Sequence, residues 1–244
     1  MPEDADQTAE PVDIVFTSPH PDDLEIFLGG AIAKAVKLGY RVAMLHTTTG
    51  EPTPNGTEEQ RRAEAIRAAE VLGVERMEIL GLPNRELMDN PANRYVLATA
   101  LRRYRPKMVV TLAGRTPGAS PDHWQSELLA ESSVFYSRLT KWDDRFEGTP
   151  SHSVGHLVYR QIPRALDMVK WPSSFVLDIS DTIDQKLAAV ACYESQFHPD
   201  RIDRVHHWLR SMAGAEGATA RILYGETYHL PRPFGTGDLV KFLS

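Results

Sequence analysis

The chain has 244 residues, of which 42% are apolar and 25% are charged, and its formal net charge is −6. This composition is typical of a globular protein with one well-filled core. The acidic balance disfavours nucleic acid and anionic membrane as partners, since both bind clustered Lys and Arg, and it favours a small-molecule partner.

Residues 1–11 are acidic and lack the basic and apolar regions of a signal peptide, so we expect a flexible N-terminal segment there. Residues 12–244 are predicted to form a single domain. The most apolar helix candidate, 26–38, is too short to span a bilayer. Cys192 is the only cysteine, which excludes a disulfide within the chain. These features predict a cytoplasmic protein.

In the first half of the chain, short β-branched runs alternate with helical patterns. Such alternation indicates βαβ units. Ala65, Ala68 and Leu72, for example, recur at helical spacing. The pattern predicts an α/β, Rossmann-like three-layer fold with a mostly parallel sheet. The predicted strands cover 14–18, 42–47, 77–80 and 108–112, and the predicted helices cover 24–38, 58–72 and 91–104.

In the second half, the order of the elements changes. Residues 214–218, Gly-Ala-Glu-Gly-Ala, have the composition of a flexible loop. The other predicted elements are a helix over 121–139, a loop over 142–153, strands over 156–162 and 175–179, and helices over 182–195 and 200–212.

The segment 18–25, Ser-Pro-His-Pro-Asp-Asp-Leu-Glu, directly follows the first predicted strand. A structural interpretation is that the prolines end the strand, Asp22 caps the next helix and Glu25 completes a capping box. A functional interpretation is that the segment forms part of a site, because ligands of open parallel sheets bind at the carboxyl ends of the strands. This segment taken alone leaves both interpretations open.

A metal site is the functional interpretation that these residue types favour. His20 and Asp23 offer a nitrogen and an oxygen donor, and a divalent metal requires at least one more ligand. The loop after the fourth predicted strand ends in Ser-Pro-Asp-His, 120–123. A helix start explains the first three of these residues but leaves His123 unexplained. We therefore expect His123 to be the third ligand, with space left for water.

A metal at this position gives Asp22 a chemical role. Asp22 is adjacent to the ligand Asp23 but points in a different direction. Its carboxylate is expected to face a water molecule at the metal and to take the proton as that water attacks. The expected reaction is hydrolysis of an unactivated bond.

The two motifs, PHPDDLE and SPDH, resemble the paired motifs of the LmbE/PIG-L metal-dependent de-N-acetylases, which remove acetyl groups from N-acetylglucosamine-containing substrates. The resemblance covers nearly the whole chain after residue 10 and is strongest to the branch with the bacillithiol-biosynthesis (N-acetylglucosaminyl-malate) deacetylases. Further similar segments occur in family order: NGTEEQRRAEA, VLGV, LPNREL, FVLDIS, YESQF and LYGETY.

The resemblance implies roles for the residues of the two motifs. His20, Asp23 and His123 are implied to bind Zn²⁺, with Fe²⁺ as the alternative, and Asp22 is implied to be the general base. Family members are commonly oligomeric, which implies a homo-oligomer.

The resemblance also implies supporting residues around the metal. Glu25 and Asp122 match acidic positions that orient the ligand imidazoles and hold local protonation states. Arg61 matches an arginine of the substrate pocket, where a guanidinium binds the sugar, the departing acetate or an attached carboxylate through paired donors.

Ser120 is the main departure from the family pattern. Most members have histidine there, which helps to stabilise the oxyanion or to protonate the leaving amine, and losing one oxyanion donor costs about a hundredfold to a thousandfold in turnover. Three outcomes stay open: a slow enzyme, a replacement donor such as His152 or His156, or a changed substrate that contacts Ser120. Asn84 likewise stands where aspartate is usual before the family arginine, here Arg85.

Other histidines are better explained without a metal. His-Pro-Asp recurs at 198–200, but it follows no strand and lacks a second adjacent carboxylate. His206 and His207 are neighbours on a predicted helix, so they point about 100° apart and do not chelate one ion. His46 is interpreted as a hydrogen-bonded core residue.

The sequence thus predicts a metal-dependent N-deacetylase acting on an amino-sugar small molecule. Two alternatives stay open. One is a metal-binding homologue with weak or lost activity, which the serine at position 120 favours. The other is a zinc amidohydrolase that acts on a non-sugar amide.

Overall fold

The computed structural model describes residues 10–162 and 173–233. The predicted flexible segment 1–11 lies almost wholly outside the described residues and stays a prediction. The domain assignment for 12–244 also stays a prediction.

The described residues form seven strands and six α-helices, with two short 3₁₀ helices at Asp143–Phe146 and Pro199–Arg201. The strands are β1 Ile14–Ser18, β2 Val42–Thr48, β3 Arg76–Leu82, β4 Met108–Ala113, β5 His156–Gln161, β6 Ser173–Asp178 and β7 Gly225–Leu230. The α-helices are α1 Asp23–Lys37, α2 Glu58–Leu72, α3 Pro91–Tyr104, α4 Asp122–Ser137, α5 Ile183–Ala191 and α6 Ile202–Thr219.

All seven strands belong to one sheet with the order β3-β2-β1-β4-β5-β7-β6. Neighbouring strands are parallel except where β7 pairs with β5 and β6, to which it is antiparallel. Thr17 of β1 aligns with Thr111 of β4, so the loops that follow these two strands leave the sheet at the same edge. The predicted α/β fold with a mostly parallel sheet is confirmed.

Helices cover both faces of the sheet, because alternate side chains of each strand point to opposite faces. Phe16 packs in a core with α1, α2 and α5, whereas its neighbour Val15 packs in a second core with α3 and α4. The result is the expected three-layer arrangement.

Helix α1, which begins at Asp23, is fixed by a buried carboxylate from β7. Glu226 is fully buried and accepts hydrogen bonds from the backbone N–H groups of Gly30 and Ala31, both at 3.1 Å. Its charge is balanced by Lys186, whose Nζ lies 2.6 Å from Oε1 of Glu226. A Cβ at Gly30 would lie 2.6 Å from Cδ1 of Ile179, so only glycine allows this approach. Strand β7, which the sequence did not predict, therefore holds the helix that leads away from the site.

The prediction of a loop over 214–218 is wrong, because α6 continues to Thr219. A Cβ at Gly217 would lie 2.8 Å from the carbonyl oxygen of Ile222 and 3.0 Å from the backbone nitrogen of Gly225. The glycine is therefore needed where the helix approaches the chain that enters β7. Glycine content suggested a turn because this tertiary contact is not visible in the local sequence.

Among the residues that the structure describes, none of the helices combines the length and the apolar character that crossing a bilayer requires.

The two glycines of α6 provide a matched test of this packing. We expect Gly217→Ala to lower the free energy of unfolding by about 1–3 kcal/mol, because the added methyl group meets backbone atoms that cannot move aside. At Gly214 the nearest atoms to an added Cβ are 3.9 Å away. Gly214→Ala should therefore be neutral or stabilise the protein by up to about 1 kcal/mol, because alanine favours the helix. Urea unfolding of both variants checks this, and equal effects would contradict the helical packing.

Candidate metal centre

The turn after β1 brings His20 against Asp23. Nδ1 of His20 lies 3.0 Å from Oδ2 of Asp23, and the backbone N–H of His20 donates to the same oxygen at 3.1 Å. Asp22 has a φ of 103° and makes no side-chain cap to α1. The capping interpretation of the segment is therefore wrong. A non-glycine residue at positive φ is uncommon and costs free energy, and such residues cluster at functional sites.

His123 reaches the same position from the first turn of α4. Its Nε2 lies 3.4 Å from Oδ1 of Asp23, and the two imidazole rings have centroids 5.4 Å apart. One ligand atom from each of His20, Asp23 and His123 lies within 4.8 Å of the others. Two imidazoles and a carboxylate at this spacing fit one divalent ion and leave coordination positions open, as in catalytic zinc sites. The three predicted ligands are thus brought together.

Each imidazole is held through the nitrogen that does not face Asp23. Nε2 of His20 lies 3.1 Å from Oδ2 of the buried Asp122, which also accepts the backbone N–H of Arg85 at 2.7 Å. Nδ1 of His123 lies 2.9 Å from the hydroxyl of Thr116. Such contacts orient ligand imidazoles and leave the other nitrogen for the metal. Sequence reasoning missed Thr116, because a single hydroxyl seven residues before a histidine forms no motif.

The electrostatics of the candidate metal centre favour a cation beside its carboxylates. Burial lowers the pKa of His20, but the hydrogen bonds to Asp122 and Asp23 outweigh burial and raise that pKa to about 10. Burial raises the pKa of Asp23, yet His123 and His20 outweigh it, and the pKa lies below its usual range. Burial likewise raises the pKa of Asp122, but its hydrogen bonds with His20 and the Arg85 backbone have the larger effect. The pKa of Asp122 is therefore lowered overall.

The carboxylate of Asp22 forms an ion pair with Arg61 of α2. Oδ2 of Asp22 lies 3.0 Å from Nη2 of Arg61. Burial raises the pKa of the Asp22 carboxyl to about 6, against the opposite effect of the guanidinium. A carboxylate with this pKa is mostly ionised at neutral pH and is a stronger base than a solvated one.

Arg61 is only 3% exposed, and Nε donates to the carbonyl of Pro21 at 3.1 Å, so part of its guanidinium is engaged inside the protein. Its Nη1 is buried and has no hydrogen-bond partner among the described residues. Arg61 lines the cavity beside His20 and Asp22. The predicted contact of Arg61 with substrate stays a prediction. Its Nε and Nη2 groups, which were expected to donate as a pair to a substrate, contact the carbonyl of Pro21 and the carboxylate of Asp22 instead.

Glu25 was expected to orient a ligand imidazole. That expectation is wrong, because the side-chain partner of Glu25 is Tyr193. Its Oε1 accepts a hydrogen bond from the hydroxyl of Tyr193 at 2.9 Å, and burial raises the pKa of Glu25 to about 8. The Tyr193 ring also lies beneath Arg61, with Cζ of the guanidinium 5.5 Å from the ring centroid. Glu25 therefore acts on the packing around Arg61.

A cavity of about 200 Å³ opens beside the candidate metal centre. Ser120 lines it, and its hydroxyl also accepts the backbone N–H of Asp122 at 3.3 Å. The lining residues are His20, Asp22, Gly50, Thr53, Arg61, Asn84, Arg85 and Ser120.

Neither histidine suggested as a replacement donor reaches this cavity. His156 begins β5 and aligns with Met108, which places it at the opposite edge of the sheet. Nε2 of His152 lies 2.7 Å from the carbonyl of Pro106, just before β4, at that same edge. The expectation that either replaces the missing histidine is therefore wrong.

The other histidines lie outside the candidate metal centre. His46 is fully buried, its Nδ1 lies 3.2 Å from the carbonyl of His20, and burial lowers its pKa to about 4. It is the core histidine that the sequence predicted. His198 has an exposed side chain that accepts the backbone N–H of Asp200.

Comparison with known proteins is consistent with this geometry. The profile of the family described as GlcNAc-PI de-N-acetylase (PIG-L) matches residues 15–132. A diacetylchitobiose deacetylase of Thermococcus kodakarensis is 30% identical over 223 residues, which are 87% of this chain and 80% of the relative. The chain belongs to the PIG-L de-N-acetylase family. A conserved protein of Thermus thermophilus has the same fold, with a TM-score of 0.80, 30% identity and coverage of 93% of this chain and 98% of that chain.

The PIG-L family assignment does not settle the reaction. A 4-oxalmesaconate hydratase of Pseudomonas putida is also similar, with 28% identity over 200 residues, which are 75% of this chain and 74% of the relative. These relatives do not single out the bacillithiol-biosynthesis branch, and membership of that branch stays a prediction.

The contacts behind the imidazoles lead to a test on metal affinity. We expect Asp122→Asn and Thr116→Val each to weaken Zn²⁺ binding by about 10–100-fold, because each removes the partner that orients one ligand ring. Competition with a fluorescent chelator measures the affinity. Asp144→Asn, a change of the same kind at an exposed position, is the control. Unchanged affinity in both test variants would contradict the assignment of these supports.

Proposed function

We propose that this protein is a metal-dependent N-deacetylase that hydrolyses the acetamide of an N-acetylglucosamine-type small molecule. The observation that best supports the proposal is the convergence of His20, Asp23 and His123 next to a cavity that His20 and Asp22 line at the carboxyl edge of the sheet. Zn²⁺ suits this donor set, and Fe²⁺ is the alternative. When bound, such an ion polarises a carbonyl group and makes water more acidic.

Asp22 is the residue that we assign as general base. Its ion pair with Arg61 restrains the carboxylate, and the positive φ at Asp22 turns its side chain away from α1. In this position the carboxylate takes the proton of the attacking water, while acetate and a free amine are the products. Arg61 thereby acts on the base as well as on the substrate that occupies the cavity.

The amine must receive a proton when the C–N bond breaks. The histidine usual at position 120 is absent, and His152 and His156 lie at the other edge of the sheet. We assign this step to the protonated form of Asp22. This carboxyl group has just received a proton from the attacking water, and it lies beside the metal ligands. A slow enzyme is the consequence, because one preorganised donor is missing.

Two other proposals keep the same residues. A binding protein would hold metal and amino sugar without releasing acetate, and an amidohydrolase would act on non-sugar amides alone. The hydratase among the relatives adds a third outcome, in which water adds to a substrate without loss of acetate. The homo-oligomer and the cytoplasmic location also stay predictions.

The base assignment is tested by Asp22→Asn. We expect the variant to retain metal and to lose turnover by roughly 10²–10⁴-fold, since the amide does not accept the proton. Acetate release is measured from N-acetylglucosamine, its malate conjugate and N,N′-diacetylchitobiose, with and without chelator, and Asp144→Asn is the matched control. A metal-loaded variant with full turnover would show that the base is a different residue.

Ser120→His tests the departure from the family pattern. We expect turnover to rise by at least about tenfold, because a donor of this kind is worth about a hundredfold to a thousandfold when it is well placed. The comparison uses kcat at saturating substrate and equal metal content. Unchanged or lower turnover would mean that having serine instead of histidine at position 120 does not slow this protein.

A further inference from the structure

Tyr193, in the segment between α5 and α6, is a buried polar residue that takes no part in the proposed reaction steps. Its side chain has no exposed surface, and its hydroxyl donates to Oε1 of Glu25 in α1 at 2.9 Å. Its ring lies beneath Arg61 of α2, with Cζ of the guanidinium 5.5 Å from the ring centroid. Tyr193 therefore contacts both helices that hold the assigned base.

The guanidinium of Arg61 is held at its edge by oxygen atoms and at its face by this ring. Nη2 lies 3.0 Å from Oδ2 of Asp22, and Nε donates to the carbonyl of Pro21 at 3.1 Å. Nη1 is buried and has no hydrogen-bond partner among the residues that the structure describes. An aromatic face within about 6 Å attracts a guanidinium, and the attraction is stronger where both groups are out of water. The Tyr193 ring thus supports the plane of a group whose edge contacts Asp22.

The position of Tyr193 is itself fixed by a second contact with α2. Glu64 lies one turn after Arg61 on the same face of the helix and is fully buried. Its carboxylate accepts the backbone N–H of Ser195 at 2.8 Å and the hydroxyl of Ser195 at 2.6 Å. The backbone N–H of Phe197 donates to the carbonyl of Tyr193 at 2.8 Å, so the segment forms a tight turn. Moving the ring away from Arg61 would therefore disturb the contacts of Glu64.

These contacts matter for the reaction because Arg61 restrains Asp22. A long side chain loses rotamer entropy when it is kept in one geometry. Contacts that already fix Arg61 in the folded protein remove this cost from the step in which Asp22 acts. The ring also belongs to the main hydrophobic core, so filling of the core is the alternative role that a test must exclude.

We propose that Tyr193 is a positioning residue for the reaction. Its ring holds the guanidinium of Arg61 against the carboxylate of Asp22, and its hydroxyl, through Glu25, holds the ring. The proposal rests on the proposed function for its effect on turnover. Tyr193 contacts neither the metal ligands nor the cavity beside them in this arrangement.

Two substitutions at Tyr193 separate the ring from the hydroxyl. We expect Tyr193→Leu, at full Zn²⁺ content, to lower kcat for acetate release by about tenfold and to change KM by less than about twofold, because a desolvated contact of a cation with a ring is worth roughly this factor. Tyr193→Phe keeps the ring and should stay within about threefold of the parent kcat. Tyr193→Met, which also lacks a ring, replaces the leucine variant if that protein does not fold. Tyr40→Phe, the same change at an exposed position, is the control.

A double-mutant cycle with Arg61→Gln tests whether Tyr193 acts through Arg61. Glutamine is polar but lacks the cation that the ring attracts. We expect Tyr193→Leu to change kcat by less than about twofold in the Arg61→Gln background, because the effects of residues that act through each other are not additive. An equal loss of kcat in both backgrounds, a change in KM alone, or a loss in Tyr193→Phe as large as in Tyr193→Leu would overturn the proposal.

Failure of the proposed function has a different outcome. Urea unfolding of the parent, the two single variants and the double variant measures the coupling between Tyr193 and Arg61 without any turnover. If the parent releases no acetate but the free energies of unfolding are not additive, the deacetylase assignment fails and the hold of Tyr193 on Arg61 stands. Additive free energies would overturn the proposal whatever the turnover. Acetate release by the parent with an equal loss of kcat in both Arg61 backgrounds sustains the function and removes Tyr193 from it.

Discussion

The placement of one carboxylate between two imidazoles is the constraint on which the site depends. Asp23 contacts His20 from its own turn and His123 from a distant loop, and the parallel register of β1 with β4 brings these loops to one edge. Such a group of donors is electrostatically unfavourable unless protons or a cation balance it. The contacts with Asp122 and Asp23 raise the pKa of His20 to about 10, so a proton and a divalent ion compete for the same position.

The rest of the molecule holds this arrangement in place. Asp22 adopts a backbone conformation that costs about 1–3 kcal/mol, and such strain persists only where the surroundings fix it. Arg61 of α2 restrains this conformation through Pro21 and Asp22, and Glu226 of β7 fixes α1 at the backbone N–H of Gly30. Burying Glu226 with Lys186 is tolerated because the two charges lie 2.6 Å apart. Charged groups that form no part of the metal centre thus maintain its geometry.

Most of the parallel sheet and the three candidate ligands could be predicted from the sequence, because β-branched runs and short motifs are local signals. The bounds of α2 and α3 agree with their prediction for the same reason, since clear caps at Thr57 and Asn90 begin them. The features that could not be predicted from the sequence depend on contacts between residues that are distant along the chain. Strand β7 contains a buried glutamate whose partners include Lys186 and α1, which are distant in sequence, and Gly217 lies where α6 approaches the start of β7. Thr116 and the inward pairing of Arg61 are visible only after the loops converge.

The central claim is that one ion joins the two loops, and titration of metal-free protein with Zn²⁺ tests it most directly. The account predicts one tightly bound ion per chain, and an affinity lower by roughly a thousandfold in His123→Ala, since a zinc site distributes its binding energy over few ligands. His207→Ala, at an exposed position of α6, should bind as the parent does. A His123→Ala protein with the parent's affinity and stoichiometry would contradict the account.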